Sequence, residues 1–385
     1  MTTIGVPRET SPGERRVAVI PGVVPGLTGW DLEVVVEAGA GEGAGFPDEA
    51  YAEKGARTGS REDVHRADVV LRVDALADLS QLSARNTVIG FCRPLTEPET
   101  VAELAGTGAT SFAMELMPRI TRAQSMDALS SQATVSGYKA VICVAAALPH
   151  LFPLMTTAAG TIKPAKLLVV GTGVAGLQAV ATARRLGAVV QAYDVRPAAR
   201  EQVESLGAKF VELPLEAGEA EDREGYARAL DEDFYRRQRE MMAGVVAGCD
   251  AVITTALVPG MTPPVLVTAD MVAGMAAGSV ILDLAAEQGG NCELSRPDED
   301  VVHHGVTILG PTNLPATVPA DASQMYAKNL VTFLGHLLAD GRLTVDMSDE
   351  ITRETLLTRE GEVVHPRLRK TLGLAVEPAS AVAGG

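Results

Sequence analysis

Three glycines in a fixed pattern form the part of the sequence whose spacing most clearly predicts chemistry. Gly171, Gly173 and Gly176 follow the apolar run Lys166–Val170 as Gly-x-Gly-x-x-Gly, and a helical pattern begins directly after the second glycine. The first glycine permits a tight turn, the second lets the backbone approach a diphosphate, and the third lets the helix pack closely on the sheet. A diphosphate at that helix N-terminus meets free N–H groups and the positive end of the helix dipole. The pattern therefore predicts a dinucleotide-binding turn.

An acidic residue completes this pattern. Asp194 ends the next apolar run, residues 188–193, about 20 residues after the glycines, where a carboxylate can accept hydrogen bonds from a ribose 2′-hydroxyl and repel a 2′-phosphate. NAD(H) is therefore favoured over NADP(H). The alternative is a glycine-rich turn in an unrelated α/β protein. It is disfavoured because the strand, glycines, helix, second strand and acid all occur in the order and spacing of a dinucleotide site.

A second polar segment, residues 118–132, surrounds the start of a predicted long helix. It contains two arginines, two glutamines, an aspartate and three serines. A nicotinamide carboxamide needs both a donor and an acceptor, which Gln124 or Ser130 could supply. Alternatively, Thr121, Ser125 or Asp127 only caps the helix and the arginines are solvated.

Other side chains give weaker signals. Asp283 and Glu287 follow a strand at its carboxyl end, where open α/β sheets bind ligands, although turn chemistry explains them equally well. None of the six histidines lies in a pattern typical of a catalytic base, and no His, Cys or Asp cluster has metal-ligand spacing. Hydrolytic and metal-dependent mechanisms are therefore not indicated.

Composition limits the class of protein. A chain of 385 residues with 46% hydrophobic and 21% charged residues is typical of a two-domain globular enzyme, and a net charge of −16 argues against nucleic-acid binding. The longest apolar run, residues 140–148, is shorter than the roughly 20 residues of a membrane span, and no export signal is visible. We expect a cytoplasmic protein without direct membrane insertion.

The order of predicted elements indicates an α/β fold. Short apolar strands alternate with helical patterns, which predicts two Rossmann-like domains with parallel sheets and a cofactor cleft between them. Long helices starting near Ala123 and at Ser323 should join the domains. The first domain is predicted to comprise residues 1–129 and 320–385, and the dinucleotide domain residues 130–319. The polar, acidic segment 215–231 is expected to be a surface loop.

Six motifs together resemble one known family. The chain is similar to the NAD(H)-binding component, domain I, of proton-translocating nicotinamide nucleotide transhydrogenases, which are relatives of alanine dehydrogenase. The motifs are Ile-Gly-Val-Pro-Arg-Glu at 4–9 with Glu-Arg-Arg-Val-Ala at 14–18, residues 119–132, the glycine pattern with Asp-Val-Arg at 194–196, residues 254–260, residues 283–291 and Thr-Asn-Leu-Pro at 312–315.

The resemblance implies specific roles for individual residues. Around the nicotinamide it places Arg119, Gln124, Asp127 and Ser130. The remaining implied NAD(H) contacts are Gly171, Gly173, Val174, Ala175 and Gly176 at the diphosphate, Asp194, Val195 and Arg196 at the adenosine ribose, Gly225, Tyr226 and Gln238 in a mobile loop that closes over the nucleotide, and Leu257 in the adenine pocket.

The same comparison separates this chain from alanine dehydrogenase. Arg16 matches a residue that would hold a substrate carboxylate there. However, the catalytic histidine of that enzyme falls where this chain has Gly-Phe-Cys-Arg-Pro at 90–94, its catalytic aspartate falls at Glu287, and its substrate-site lysine falls at Asp74. Reduction of pyruvate would therefore lack its acid.

The resemblance implies a role that needs partner proteins. The chain would be a homodimeric subunit that binds NAD(H) and passes a hydride to NADP⁺, the second cofactor NADP(H) being bound on a partner subunit. Membrane subunits would couple the transfer to proton translocation and keep this chain at the inner membrane as a peripheral component. The alternatives are an L-alanine dehydrogenase with an unusual proton donor and a non-enzymatic NAD-binding regulatory protein.

Overall fold

The computed structural model describes residues 1–214, 232–257, 260–339 and 341–375. The chain divides into two compact units, one comprising Met1–Gln132 with Pro315–Gly385 and the other Ala133–Leu314. Within the described ranges, no helix combines the length and apolarity needed to cross a membrane.

Both units contain short strands. In chain order they are β1 (Thr3–Val6), β2 (Glu33–Glu37), β3 (Arg57–Gly59), β4 (Val69–Asp74), β5 (Thr87–Phe91), β6 (Thr110–Ala113), β7 (Met155–Thr157), β8 (Gly160–Ile162), β9 (Lys166–Val170), β10 (Val189–Tyr193), β11 (Lys209–Phe210), β12 (Ala251–Thr254), β13 (Val280–Asp283), β14 (Asp300–His303), β15 (Val306–Leu309), β16 (Leu338–Ala339), β17 (Arg342–Leu343), β18 (Leu356–Arg359) and β19 (Glu362–Val363).

Helices alternate with these strands along most of the chain. They are α1 (Val24–Thr28), α2 (Asp48–Ala52), α3 (Arg61–His65), α4 (Pro98–Gly106), α5 (Ala128–Ala147), α6 (Val174–Arg185), α7 (Ala199–Ser205), α8 (Glu232–Ala247), α9 (Ala269–Ala273), α10 (Pro319–Leu337), α11 (Glu350–Thr355) and α12 (Pro366–Thr371).

The second unit contains a seven-stranded sheet. Its order is β11-β10-β9-β12-β13-β15-β14, and every neighbouring pair is parallel except β14 with β15. The strand order reverses between β9 and β12, which makes the carboxyl ends of these two strands the topological switch point where such sheets bind ligands. The turn that contains the three glycines begins at this point.

Alternating side chains of this sheet fill two separate cores. In β9, Leu167 and Val169 pack into one core, whereas Leu168 and Val170 pack into the other on the opposite face. A strand that is buried on both faces needs a continuous apolar sequence, and this explains the uninterrupted Leu-Leu-Val-Val run of β9.

The first unit contains an eight-stranded sheet that is also mainly parallel. Its order is β19-β18-β6-β5-β4-β1-β2-β3, in which β1 to β6 are parallel. From the C-terminal part of the chain, β18 pairs antiparallel with β6, and β19 pairs antiparallel with β18. The predicted α/β class with Rossmann-like, mainly parallel sheets is confirmed. The β18–β19 pair and the small β7–β8 hairpin were not predicted, because these short segments lack a clear apolar period.

The predicted starts of two long helices are wrong. The helix expected to begin near Ala123 begins at Ala128, and a separate 3₁₀ segment, Thr121–Met126, precedes it. Asp127 interrupts the pattern because its backbone is non-helical (φ −71°, ψ 85°) and its side chain accepts the N–H of Ser130. The helix expected from Ser323 begins earlier, at Pro319, because proline suits the first helical turn.

Glu9 in the first unit is a buried carboxyl group. Its Oε1 accepts the N–H of Val73 at 2.6 Å, and only 8% of the residue is exposed. Burial raises the pKa of Glu9 to about 7, against the opposing effect of the Arg72 charge. The folded protein therefore retains a proton on Glu9 at a pH where the unfolded chain has released it.

Glu9→Gln should change how stability depends on pH. For the wild type, the Glu9 contribution to the free energy of unfolding should fall as pH rises from 4.5 to about 7, since the folded state binds the proton more tightly. Glu9→Gln should reduce the slope of stability against pH. At pH 8 its free energy of unfolding should be about 1–3 kcal/mol larger than that of the wild type. Urea unfolding at pH 5 and pH 8 measures the difference. Glu53→Gln, at an exposed position, is the control and should keep the wild-type slope of stability against pH. A wild-type slope in Glu9→Gln as well would contradict the raised pKa of Glu9.

Candidate functional site

The first glycine of the pattern makes the turn that leaves β9. Gly171 has φ +91°, a conformation that favours glycine, and its N–H donates to the Tyr193 carbonyl at 2.8 Å. A Cβ at this position would lie 2.8 Å from Thr255 Oγ1, which donates to the Gly171 carbonyl. The turn is therefore pressed against the segment that follows β12, at the switch point of the sheet.

The other two glycines have opposite surroundings. A Cβ at Gly176 would lie 2.0 Å from the Gly171 carbonyl oxygen, so only glycine permits this approach of α6 to the turn. A Cβ at Gly173 would meet nothing within 4 Å. Gly173 is also the N-cap of α6 and supplies no side-chain cap, so the first N–H groups of the helix face an open approach. This arrangement fits an anionic group such as a diphosphate.

Asp194 accepts five hydrogen bonds from two neighbouring residues. Oδ2 accepts the N–H and Oγ1–H of Thr172 at 2.7 and 2.9 Å and Nη2–H of Arg196 at 2.9 Å, whereas Oδ1 accepts the N–H and Nε–H of Arg196, each at 2.9 Å. Burial acts to raise the pKa of Asp194, but the hydrogen bonds and charge of Arg196 and the Thr172 N–H outweigh it and lower the pKa. Asp194 is therefore a fixed anion beside the glycine turn.

Residues near the start of α6 occupy the surface around this turn. Val174, the first residue of α6, is exposed, and Ala175 is half-buried. A Cβ at Gly137 would lie 2.1 Å from the Ala175 carbonyl, so α5 also packs closely on the first turn of α6. Sequence reasoning missed Gly137, since its neighbours form an ordinary helical pattern. Val195, next to Asp194, is half-buried against the apolar core of this face.

The segment after β12 lies beside the turn and is held by a buried amide. Asn291 Nδ2 donates to the carbonyls of Ala256 and Pro264, and its Oδ1 accepts the Ala256 N–H. Leu257, predicted in the adenine pocket, follows directly and is half-buried. Asp283, considered for the cleft, is fully buried and accepts five hydrogen bonds, two of them from Thr254 Oγ1 and the Asn291 N–H. Its carboxylate therefore holds the segment that follows β13 in place through hydrogen bonds.

Gln238 lies in a helix, so its expected place in a loop is wrong. It belongs to α8 and is 2% exposed, on the face shared with the buried Phe234 and Met242. Its Oε1 is enclosed and has no hydrogen-bond partner among the described residues. A buried acceptor without a donor costs about 1–3 kcal/mol, which makes Gln238 a candidate for a ligand contact. Gly225 and Tyr226, predicted in the same loop, lie outside the described residues, as does the rest of segment 215–231.

The predicted nicotinamide residues lie in the first unit, at the start of α5. Asp127 is the N-terminal cap of α5: its Oδ1 accepts the Ser130 N–H at 2.8 Å, and its Oδ2 accepts Ser130 Oγ–H at 2.6 Å. The helix-capping alternative therefore applies to Asp127. Arg119 and Gln124 are exposed on the segment that precedes the cap. The four residues share one segment of 12 positions, and the cap fixes the conformation of two of them.

Arg16 is held by neighbouring side chains in the first unit. Its guanidinium donates to both carboxylate oxygens of Glu14, at 2.8 and 2.6 Å, and to Gln132 Oε1 at 2.9 Å. Arg93, in the segment 90–94 where the resemblance implies a histidine in alanine dehydrogenase, forms an ion pair with Asp74 at 3.0 Å. Within the described part of the chain, no three His, Cys, Asp or Glu side chains are arranged to hold a metal ion.

Comparison with known proteins identifies the family of this chain. Family models for alanine dehydrogenase/PNT match residues 5–136 (N-terminal domain) and 140–366 (C-terminal domain). An NAD(P) transhydrogenase subunit alpha protein of Rhodospirillum rubrum is 48% identical over 377 residues, which cover 95% of this chain and 98% of that protein.

Two solved structures have the same fold as this chain. A transhydrogenase from Sinorhizobium meliloti is 45% identical with a TM-score of 0.83, covering 95% of this chain and 99% of that one. An L-alanine dehydrogenase is 25% identical with a TM-score of 0.80, covering 97% and 99%. Sequence identity therefore separates the two relatives, whereas fold similarity does not.

Alanine substitutions at two of the glycines should have different effects. Gly176→Ala should destabilise the second unit by about 1–3 kcal/mol, because its methyl group collides with the Gly171 carbonyl. Gly173→Ala places its methyl group in open space, so its free energy of unfolding should lie within about 1 kcal/mol of the wild-type value. It should bind NADH more weakly, because the methyl group occupies the approach to the helix N-terminus. Thermal unfolding and NADH titration separate the two effects. Equal stability losses in both variants would contradict this account of the turn.

Proposed function

The chain belongs to the alanine dehydrogenase/PNT family, and on that premise we propose that it is the NAD(H)-binding subunit of a proton-translocating NAD(P) transhydrogenase. The observation that supports this most directly is the glycine turn, in which the open Gly173 lies at the N-terminus of α6 and the fixed Asp194 anion lies beside it. The names of the relatives that are 48% and 45% identical support the transhydrogenase assignment over alanine dehydrogenase.

The diphosphate and the adenosine of the dinucleotide would be held by groups of the second unit. The first N–H groups of α6, with Gly171, Gly173, Val174, Ala175 and Gly176, would hold the diphosphate. Asp194, with Val195 and Arg196, would bind the adenosine ribose, and the fixed negative charge disfavours a 2′-phosphate. Leu257 would contact the adenine, and the enclosed Gln238 Oε1 would accept a hydrogen bond from the nucleotide or from the segment that contains Gly225 and Tyr226.

Four residues of the first unit would orient the nicotinamide. Gln124 offers the donor and the acceptor that a carboxamide requires, and Arg119 lies on the same segment. Asp127 and Ser130 are fixed by their mutual hydrogen bonds, so they would present a preorganised polar edge to the ring.

The proposed chemistry is direct hydride transfer. Bound NADH supplies the hydride, and NADP⁺ on a partner subunit accepts it. The chain's own residues then need only to position the ring and exclude water, because exchange between two nicotinamides requires no general acid or base. This matches the ion pair of Arg93 and Asp74 in the place where alanine dehydrogenase needs a histidine.

The same proposal includes the partners and the location. The chain would dock on an NADP(H)-binding subunit, form a homodimer, and associate peripherally with the inner membrane through membrane subunits that move the proton. This chain would not enter the bilayer itself.

Mixing this chain with a soluble NADP(H)-binding domain should produce rapid hydride exchange between an NADH analogue and NADP(H). The measurement is stopped-flow absorbance at a wavelength that distinguishes the analogue. The chain alone, given NAD⁺ and L-alanine, should show no reduction. Alanine-dependent reduction at ordinary dehydrogenase rates would instead identify an alanine dehydrogenase, and NADH binding without exchange would indicate a regulatory protein.

Gln124→Ala should slow this exchange by about 10- to 100-fold, because misplacing a reacting ring by about 1 Å costs on that order. Binding of NADH should weaken much less, since the diphosphate and adenosine contacts remain. Gln124 is the better choice than Asp127, whose replacement would also remove the cap of α5. Lys54→Ala, on the exposed surface of the same unit, is the control. An unchanged exchange rate in Gln124→Ala would remove Gln124 from the nicotinamide site.

A further inference from the structure

Thr172 is a buried hydroxyl residue within the glycine turn to which the dinucleotide pattern assigns no role. It occupies the first variable position of Gly-x-Gly-x-x-Gly and is 1% exposed. Its N–H and its Oγ1–H both donate to Oδ2 of Asp194, at 2.7 and 2.9 Å. Any residue could supply the N–H, but only a hydroxyl side chain supplies the second bond.

The five donors are divided unequally between the two oxygens of Asp194. Oδ2 accepts three, of which two come from Thr172, whereas Oδ1 accepts two, both from Arg196. A carboxylate has about four lone-pair positions, two on each oxygen, so both oxygens are fully occupied in this structure. When the Arg196 side chain moves away, the two Thr172 donors still fill Oδ2, whereas Oδ1 keeps only the Arg196 N–H and gains a free position. Oδ1 is therefore the oxygen that can accept a ribose hydroxyl.

We infer that Thr172 is a positioning residue whose hydroxyl holds Asp194 in the orientation that presents Oδ1 to the adenosine ribose, and that it thereby increases selectivity for NAD(H) over NADP(H). This inference rests on the proposed function, since it assumes that Asp194 binds the ribose. The hydroxyl is attached to the glycine turn, which is locked by the contacts of Gly171 and Gly176. The bond from Thr172 thus connects the carboxylate to this closely packed turn.

Loss of the hydroxyl leaves Arg196 as the main side-chain partner of the carboxylate. The Arg196 side chain is long and 17% exposed, so its guanidinium can follow the carboxylate into other orientations. The ribose of NADH would then meet a less ordered acceptor. The affinity for NADPH would change little, because a 2′-phosphate replaces the ribose hydroxyl from which Asp194 would accept a hydrogen bond.

The experiment compares Thr172→Val with Thr172→Ser by titration of the full-length chain with NADH and NADPH. Thr172→Val keeps the shape of the side chain but removes the donor, and it should raise the Kd for NADH about 3- to 10-fold, which is the range of a hydrogen bond to a charged group when part of it is lost. The Kd for NADPH should change less than twofold. Thr172→Ser should restore the wild-type ratio of the two constants to within about twofold.

Thr182→Val is the matched control. Thr182 is a buried threonine of α6 whose Oγ1 accepts a hydrogen bond from Gln178 at 3.0 Å, so its replacement also removes a buried hydroxyl from the same helix region. It should leave both dissociation constants unchanged. If Thr172→Val does not fold, Thr172→Ala is measured in its place. Failure of both to fold would make the hydroxyl a structural requirement and overturn the positioning role.

A double-mutant cycle with Asp194→Asn tests whether the effect passes through the carboxylate. The 3- to 10-fold effect of Thr172→Val should shrink to less than twofold in the Asp194→Asn background. An equal effect in both backgrounds, an unchanged NADH Kd in folded Thr172→Val, or no recovery in Thr172→Ser would overturn the inference. These outcomes differ from failure of the proposed function, in which the wild-type chain itself would not bind NADH.

Discussion

The contact between the start of α6 and the carbonyl of Gly171 constrains the whole proposed nucleotide site. It exists because position 176 has no side chain, and a single methyl group there would come within 2.0 Å of the carbonyl oxygen. The contact places the helix N-terminus over the carboxyl end of β9, at the point where the strand order reverses. Gly173, with its open backbone, and Thr172, with its buried hydroxyl, both lie within the turn that the contact between Gly176 and Gly171 closes.

Electrostatics gives the same turn its proposed preference for one kind of ligand. The helix N-terminus would attract a negatively charged diphosphate, whereas Asp194, kept ionised by Arg196 and the Thr172 N–H, would oppose a second negative group at the ribose. Burial alone would favour the protonated acid, so the hydrogen bonds and the Arg196 charge maintain the negative charge of Asp194. The proposed selectivity would thus arise because a fixed anion lies beside a helix end that favours anions.

Features that depend on a local pattern could be predicted accurately from the sequence. The strand β9, the three glycines, the helix α6 and the acid after β10 each follow from residue type and spacing, and so does the parallel α/β class. Features that depend on long-range contacts could not be predicted. The Asn291 bonds to Ala256 and Pro264 join segments far apart in sequence, and the burial of Gln238 depends on the packing of α8. The start of α5 was misplaced because Thr121, Ser125 and Asp127 are all suitable caps, and an apolar period does not show which of them begins the helix.

The family relationship explains why fold alone did not distinguish two activities, since the alanine dehydrogenase structure has nearly the same TM-score as the transhydrogenase structure. The central claim is that the turn at Gly171 with Asp194 binds a dinucleotide without a 2′-phosphate. Titration of the wild-type chain with NADH and with NADPH tests it most directly. The account predicts binding of NADH at least about tenfold tighter than NADPH, a difference of about 1.4 kcal/mol. Equal affinities, or tighter binding of NADPH, would contradict it.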